Sequence, residues 1–209
     1  MLIKELFSEL LRNGFQTRVV ENKYEAQKMI LNMITDKSKV GIGGSITIQQ
    51  LDLVDRLKEM DCDIYWHFNK KLPREEDLKI YKMQQVCDFF LASCNAITKD
   101  GKLIFIDGSG NRISATIFGP DNVILVVGKN KIVDSIEEGI NRARNYCAPR
   151  LYKLKNSPAP CAINGEHCLN CRGELKQCRV IAIIENIPKA RRDLGNNFTI
   201  ILVNEDLGI

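Results

Sequence analysis

The spacing of hydrophobic residues predicts alternating helices and strands along most of the chain. Apolar positions recur at helical spacing over residues 1–14 and 23–35, and a short apolar strand near residue 40 runs through glycines into a helical pattern. The remaining predicted elements are helices at 49–60, 73–85 and 131–145 and strands at 62–68, 87–93 and 123–127. This alternation favours an α/β fold with a doubly wound, mainly parallel sheet.

Two parts of the pattern add to this plan. Apolar residues 96–98 and 103–106 flank Lys99-Asp100-Gly101, a turn sequence that predicts a short antiparallel hairpin. Residues 180–185 and 198–203 predict two closing strands that join the same sheet or cover its edge.

We therefore expect one domain with three parts. Residues 1–35 form amino-terminal helices, residues 36–150 form the α/β core, and residues 156–209 form a cysteine-rich extension with the closing strands. At 209 residues the chain is long enough to bury a substantial core.

The glycine-rich turn after the strand near residue 40 is the first candidate binding loop. Its glycines, Gly41, Gly43 and Gly44, permit positive φ and close approach of a ligand to the backbone, and Ser45 and Thr47 add hydroxyl groups. The pattern matches neither the P-loop nor G-x-G-x-x-G. The sequence leaves open whether the turn packs a helix on a strand or binds an anion.

A second polar loop at residues 107–112 follows the hairpin. Asn111 and Arg112 supply an amide and a fork-shaped cation, and Asn95 stands at the end of the preceding apolar run. Bracing of loop carbonyls by Arg112 is an equally weighted alternative. We predict that both loops contribute to one site for a small anionic ligand, with the contacting residues Gly41, Gly43, Gly44, Ser45, Thr47, Asn95, Asn111 and Arg112.

Candidates for catalysis are few. Asp107 directly follows a strand and is a candidate acid or base. Cys94 is a candidate nucleophile, although no histidine is close to it in sequence. With two histidines in the chain, His67 and His167, a histidine-centred triad is poorly supported, and the sequence leaves open whether the protein is an enzyme.

Charge and hydropathy exclude several classes of protein. The 30 basic and 26 acidic residues are spread along the chain without a run of like charge, so nucleic acid is not an expected partner. No stretch approaches the ~20 apolar residues that span a bilayer, and the first helix is amphipathic rather than a signal peptide. We expect a cytoplasmic protein whose eight cysteines are reduced.

Four cysteines in the extension form a candidate metal site. Cys161, Cys168, Cys171 and Cys178 have the spacing C-x6-C-x2-C-x6-C, and four thiolates can bind zinc or an iron–sulfur cluster. Only the central C-x2-C is a standard spacing. A cluster of reduced thiols, or disulfides formed on oxidation, is the alternative.

Several segments together resemble the lactate-utilisation (LUD) domain family, in the branch that carries cysteines. They are GIGGSITI at 41–48, NAITKDGKLIFIDGSGNR at 95–112, FGP at 118–120, VVGKNKIV at 126–133, APR at 148–150, the cysteine tail with GEHCLNC, and the final EDLGI. The resemblance implies a fold like that of the sugar-phosphate isomerase, glucosamine-phosphate deaminase and CoA-transferase superfamily (NagB/RpiA/CoA transferase-like), with ligands at the carboxyl edge of the sheet.

The resemblance also implies a role. Family members are associated with oxidation of lactate beside iron–sulfur proteins, so we expect an accessory protein of 2-hydroxy acid oxidation that binds a small anion. The alternatives are a sugar-phosphate isomerase or CoA/acyl-transferase-like enzyme, and a metal or iron–sulfur subunit for electron transfer or docking. Homo-oligomers are compatible with the sequence, which does not determine the oligomeric state.

Overall fold

The structure, a computed structural model, describes residues 2–67, 72–163, 167–193, 195 and 197–209. The helices are α1 (Leu2–Arg12), α2 (Lys23–Met33), α3 (Ile46–Gln49), α4 (Val54–Glu59), α5 (Arg74–Met83), α6 (Asn111–Ile117), α7 (Ile136–Arg142), α8 (Ala148–Leu154), α9 (Pro160–Ile163) and α10 (Lys189–Asp193), with a π-helix at Ala143–Cys147 and 3-10 turns at Lys129–Lys131 and Gly173–Leu175. The strands are β1 (Gln16–Val20), β2 (Lys39–Ile42), β3 (Asp63–Trp66), β4 (Phe89–Ala92), β5 (Ala96–Thr98), β6 (Leu103–Asp107), β7 (Asn122–Gly128), β8 (Ile132–Val133), β9 (Val180–Ile184) and β10 (Phe198–Val203).

The main sheet has six parallel strands in the order β1-β10-β7-β4-β2-β3. Successive residues of its central strands belong to two hydrophobic cores on opposite faces of the sheet; in β7, Leu125 belongs to one core and Ile124 to the other. Helices α2, α3 and α4 cover one face, and burial on both faces explains the continuous apolar run of β7. The predicted α/β fold with a mainly parallel sheet is confirmed.

A second sheet, in the order β8-β5-β6-β9, packs on the other face of the main sheet together with α1 and α6. The predicted hairpin of β5 and β6 is its centre and is antiparallel. Helix α7 covers the outer face of this sheet at close range, because a Cβ at Gly139 would lie 2.6 Å from Cδ1 of Ile104. The second sheet therefore stands between the main sheet and α7.

The closing strands take different positions from those expected. Strand β10 joins the main sheet in its interior, between β1 and β7, whereas β9 pairs with β6 in the second sheet. The expectation that both join or cover one sheet is wrong for β9. Strand β1 was not predicted, because its partner β10 is far away in sequence and supplies the pairing that its short pattern does not reveal.

Helix boundaries also differ from the predicted ones. The helix expected at 131–145 begins only at Ile136, where the Ser135 hydroxyl accepts the Glu138 N–H, and it continues as a π-helix. The helix expected at 49–60 is divided into α3 and α4, with Asp52 between them at a φ of 47°. The predicted strand at 62–68 is present as β3, while residues 68–71 of that prediction and its following loop lie outside the described residues.

Bilayer-spanning helices are not found in the described part of the chain, where every helix is too short or too polar to cross a membrane.

Gly41 lies inside β2 and is a packing residue. A Cβ at this position would lie 2.8 Å from Sγ of Cys87 and 3.1 Å from the ring of Phe90. Any larger residue therefore displaces side chains of the core, and Gly41 has no contact with the cavities described below.

We predict that Gly41→Ala lowers the free energy of unfolding by about 1–3 kcal/mol, the usual range for overpacking. Urea unfolding monitored by circular dichroism measures the loss. Sγ of Cys87 is the atom nearest to the added Cβ. In a Cys87→Ala background, Gly41→Ala should therefore cost less stability than it costs in the wild type. An unchanged stability of Gly41→Ala would contradict the packing role.

Candidate functional site

Two adjoining cavities lie at the carboxyl edge of the main sheet. The larger, about 220 Å³, lies among the ends of β3 and β6, the start of α6 and the π-helix with α8. The smaller, about 40 Å³, lies among the ends of β2 and β4, α3 and the 3-10 turn that precedes β8. Both are lined by Gly44, Asn95, Arg112, Cys147 and Leu151. The two predicted loops therefore meet at one place, as the rule for parallel sheets requires.

Arg112 is the buried centre of this region. Its Nη1 donates to the Ser93 carbonyl at 2.9 Å, and its Nη2 donates to Asn95 Oδ1 at 2.8 Å and to the Ile106 carbonyl at 2.9 Å. Nε donates to Oδ1 of Asp107 at 3.0 Å. The guanidinium thus joins the ends of β4 and β6 to α6, which favours bracing over direct ligand binding.

Asp107 is the carboxylate partner of Arg112. The two side chains are 12% and 10% exposed, and the second oxygen of Asp107 accepts the Ile113 N–H at the first turn of α6. Asp107 also lines the larger cavity, so it retains the position required of an acid or base. Its contacts show that it orients Arg112 and α6.

The glycine loop contributes fewer groups than predicted. The Gly43 N–H donates to the Leu91 carbonyl and so continues the strand pairing. Gly44 lines both cavities, whereas Gly41 and Gly43 lie outside the lining. The Ser45 hydroxyl accepts the Ile48 N–H as the N-cap of α3, and Ser45 and Thr47 both line the smaller cavity.

Asn95 and Asn111 both line the larger cavity. Asn95 Oδ1 accepts hydrogen bonds from the Ile106 N–H and from Nη2 of Arg112. The side-chain nitrogen of Asn95 has no hydrogen-bond partner among the described residues. Asn111 donates to Gln84 Oε1 at 3.0 Å. Asn95 therefore offers a donor to a ligand in either cavity.

Lys131 is a site residue that the sequence did not single out. It is 3% exposed and lines the smaller cavity. Its Nζ donates to Thr47 Oγ1 at 2.6 Å, to Ser93 Oγ at 2.8 Å and to the Cys94 carbonyl at 3.4 Å. Burial, and then the positive charges of Arg142 and Arg112, lower the pKa of Lys131 to about 8.

His67 lies in the larger cavity beside Tyr81, with ring centroids 4.6 Å apart. The side-chain nitrogen of the fully buried Gln84 is 3.3 Å from His67 Nδ1 and also donates to the carbonyls of Ile42 and Tyr65. Burial, and then the charge of Lys155, lower the pKa of His67 to about 4, so the imidazole is neutral at pH 7.

The π-helix brings Cys147 to the wall shared by the two cavities. Nη1 of Arg142 is 2.8 Å from the sulfur of Cys147 and 2.6 Å from the Asn95 carbonyl. Such π-helical turns are frequent at functional sites because they displace one side chain from the regular helical repeat. The sequence pattern predicted one regular helix at 131–145, and it therefore did not indicate that Cys147 lies in the cavity wall.

Cys94 is buried, at 2% exposure, and its environment does not activate it. Burial raises the pKa of its thiol, which disfavours the thiolate needed for nucleophilic attack. It lines the smaller cavity, so its position agrees with a site residue while its chemistry does not favour a nucleophile.

The four cysteines of the extension are neighbours without forming a closed site. Burial, and then the adjacent thiols of Cys171 and Cys168, raise the pKa of Cys161. Among the described residues, however, no three histidine, cysteine, aspartate or glutamate side chains come together in an arrangement that could hold a metal. The side chains as placed do not fit a zinc or iron–sulfur site, and the metal prediction stays a prediction.

The extension nevertheless reaches the larger cavity. Gln177 lines it, and Cys178 is hydrogen-bonded to Tyr152, another lining residue. Burial raises the pKa of Tyr152, and it raises that of Cys178 to about 11. The cysteine segment therefore contributes to the cavity wall.

Fold and site together define an α/β protein with a polar double cavity, rich in cationic side chains, at the carboxyl edge of a parallel sheet. A family model described as the LUD domain matches residues 3–203, so the chain belongs to the LUD domain family. None of the curated proteins compared with the chain matched it.

One of the solved structures similar to this chain shows a similar fold. A crystal structure of a DUF162 family protein from Deinococcus radiodurans has a TM-score of 0.55 at 14% identity, and the match covers 97% of this chain and 96% of that chain. At this identity the likeness shows the fold alone. Ribose 5-phosphate isomerase A from Methanocaldococcus jannaschii has a TM-score of 0.39 at 16% identity, covering 83% of this chain and 85% of its own. The isomerase from Plasmodium falciparum has a TM-score of 0.35 at 17% identity, covering 54% and 52%.

We predict that Arg112→Ala lowers the free energy of unfolding by about 3–5 kcal/mol, because it leaves Asp107 buried without its partner. The matched control is Arg56→Ala, which removes a surface pair with Glu59 and should cost at most about 1 kcal/mol. Urea unfolding of both variants gives the comparison. Equal losses in the two variants would show that Arg112 does not brace the site.

We also predict an acid-sensitive contribution from His67. Its folded pKa of about 4 lies below its unfolded value, so the unfolded state binds the proton first as the pH falls. The His67 contribution to stability is complete above pH 6.5 and is lost progressively towards pH 4, by up to about 3 kcal/mol. Unfolding at pH 7 and pH 4.5 should show a smaller acid loss in His67→Gln than in the wild type.

The control for this experiment is the exposed His167. His167→Gln should keep the acid loss of the wild type. If His67→Gln shows the same acid loss of stability as the wild type, the interpretation that His67 is buried as a neutral imidazole is wrong.

Proposed function

We propose that the chain binds a small anionic ligand in the two cavities, as an accessory protein of 2-hydroxy acid oxidation in the cytoplasm. The imbalance of charge in the lining carries this proposal. Two buried cationic side chains, Arg112 and Lys131, line the cavities, whereas Asp107 is the one lining carboxylate side chain among the described residues.

The imbalance matters because Arg112 and Lys131 are both buried. Arg112 has Asp107 as its partner, but Lys131 makes no salt bridge with any residue that the structure describes. A buried charge without a counterion is costly, and an anion in the cavity offsets that cost. The donor nitrogen of Asn95 supports the same interpretation.

The dimensions and family suggest the kind of anion. A cavity of about 220 Å³ joined to one of about 40 Å³ suits a small molecule with one anionic group and a polar body. Because the LUD family is associated with lactate oxidation, L-lactate and pyruvate are the first ligands to test. Iron–sulfur proteins of lactate oxidation are the proposed partners.

An enzyme of the isomerase or acyl-transfer kind is the second candidate function. The position of Asp107 in the lining supports it, since an acid or base must reach the ligand. The buried thiol of Cys94 weakens the version that requires a nucleophile.

The test is ligand-induced thermal stabilisation of Asn95→Asp, measured with L-lactate, pyruvate and sulfate. Asn95→Asp keeps the Oδ1 acceptor for Ile106 and Arg112 but replaces the donor facing the cavity with a negative oxygen. At 100 times Kd a ligand stabilises the wild type by about 2.7 kcal/mol, or several degrees in Tm. We expect the variant to lose most of this shift.

Asn32→Asp is the matched control, because it makes the same change of charge on the exposed side of α2. It should keep the full ligand-induced shift. If Asn95→Asp shows the same ligand-induced shift as the wild type, the proposed site is wrong. If none of the three anions shifts the Tm of the wild type, the proposal that the protein binds anions of this kind is wrong.

A further inference from the structure

We propose that Lys131 holds the anionic group of the ligand in the smaller cavity and takes up a proton when the ligand binds. This inference rests on the proposed anion-binding function. It adds the position of the anionic group and a dependence of affinity on pH.

The hydrogen bonds of Lys131 indicate where the anion lies. Its three partners among the described residues are neutral oxygens, from Thr47, Ser93 and the Cys94 main chain. The hydroxyl groups of Thr47 and Ser93 donate over long distances, 3.5 Å to the Leu207 carbonyl and 3.4 Å to the Cys94 carbonyl. They can rotate and donate to an incoming anion instead while they still accept from Nζ. The smaller cavity, which these groups line together with Arg112, thus combines two cations with two adaptable hydroxyls.

The size of the smaller cavity limits what enters it. A volume of about 40 Å³ admits an anionic group of a few atoms, such as a carboxylate or an oxyanion, but not a whole metabolite. Gly44, Asn95 and Arg112 belong to both linings, so the body of such a ligand extends past them into the larger cavity. A short carboxylic acid with a polar body is the ligand class that matches both spaces.

The surroundings of Lys131 favour loss of its proton in the absence of ligand. Burial is the main cause, and Arg112 in α6 and Arg142 in α7 act in the same direction. The thiols of Cys94, after β4, and Cys147, at the end of the π-helix, act in the opposite direction. With a pKa of about 8, Lys131 is mostly charged at pH 7 and mostly neutral at pH 9.

An anion in contact with Nζ reverses this balance. It stabilises the charged amine and therefore raises the pKa of Lys131 above 8. Below pH 8 the amine carries its proton with and without ligand, so binding is independent of pH there. Above pH 8 binding takes up about one proton, and the affinity falls up to tenfold per pH unit.

Isothermal titration calorimetry of the intact protein tests this inference with L-lactate, pyruvate and sulfate, which are all fully ionised between pH 7 and pH 9. Titrations in two buffers of different ionisation enthalpy give the number of protons taken up. We expect a value near zero at pH 7 and approaching one at pH 9 for each anion that binds. Sulfate distinguishes a general oxyanion site from a carboxylate site.

Three variants identify the group that takes up the proton. Lys131→Arg stays charged and should bind without proton uptake at either pH, while Lys131→Met should bind at least tenfold more weakly at pH 7. Cys147→Ser should still take up a proton at pH 9, because Lys131 is unchanged. Circular dichroism shows whether each variant folds, and if Lys131→Arg does not, the wild type and Cys147→Ser decide the question.

The outcomes separate this inference from the function on which it rests. Binding to the wild type without proton uptake at pH 9 overturns the role of Lys131 and leaves anion binding intact. Uptake that is lost in Cys147→Ser, or retained in Lys131→Arg, assigns the proton to another group and also overturns it. Failure of all three anions to bind overturns the proposed function and this inference together.

Discussion

The buried guanidinium of Arg112 is the interaction on which the site depends. It bonds to the carbonyls of Ser93 and Ile106 and to the side chains of Asn95 and Asp107, and so it fixes the ends of two strands in different sheets. These strand ends otherwise present unpaired polar groups to a buried space, which is unfavourable. One side chain therefore fixes the strand ends at the junction where the cavities form.

Among the described residues that line this junction, Arg112 and Lys131 are buried cations and Asp107 is the one carboxylate side chain. Natural cores pair their charges, and an unpaired buried lysine is rare because its desolvation costs several kcal/mol. Among the described residues, the partners of Lys131 are two hydroxyls and one carbonyl in place of a carboxylate. Sites that bind or transform ligands commonly contain such unfavourable arrangements, since the ligand supplies the missing interaction.

The sequence predicted the parts of the structure that depend on local pattern. The apolar run of β7, the hairpin of β5 and β6, and the meeting of two polar loops at the carboxyl edge all follow from periodicity and the geometry of parallel sheets. Gly41 and Gly44 illustrate the limit, because they share one motif but the first packs in β2 while the second lines the cavities. Lys131 was hidden since lysine is normally exposed, and Cys147 since no pattern predicts a π-helix.

The central claim is that an anion occupies the smaller cavity beside Lys131. A crystal structure of the protein grown with pyruvate tests it most directly. The account predicts density for the carboxylate in that cavity, with one oxygen about 3 Å from Nζ of Lys131 and the rest of the molecule in the larger cavity. Pyruvate bound only elsewhere on the protein, with both cavities filled by water, would contradict the account.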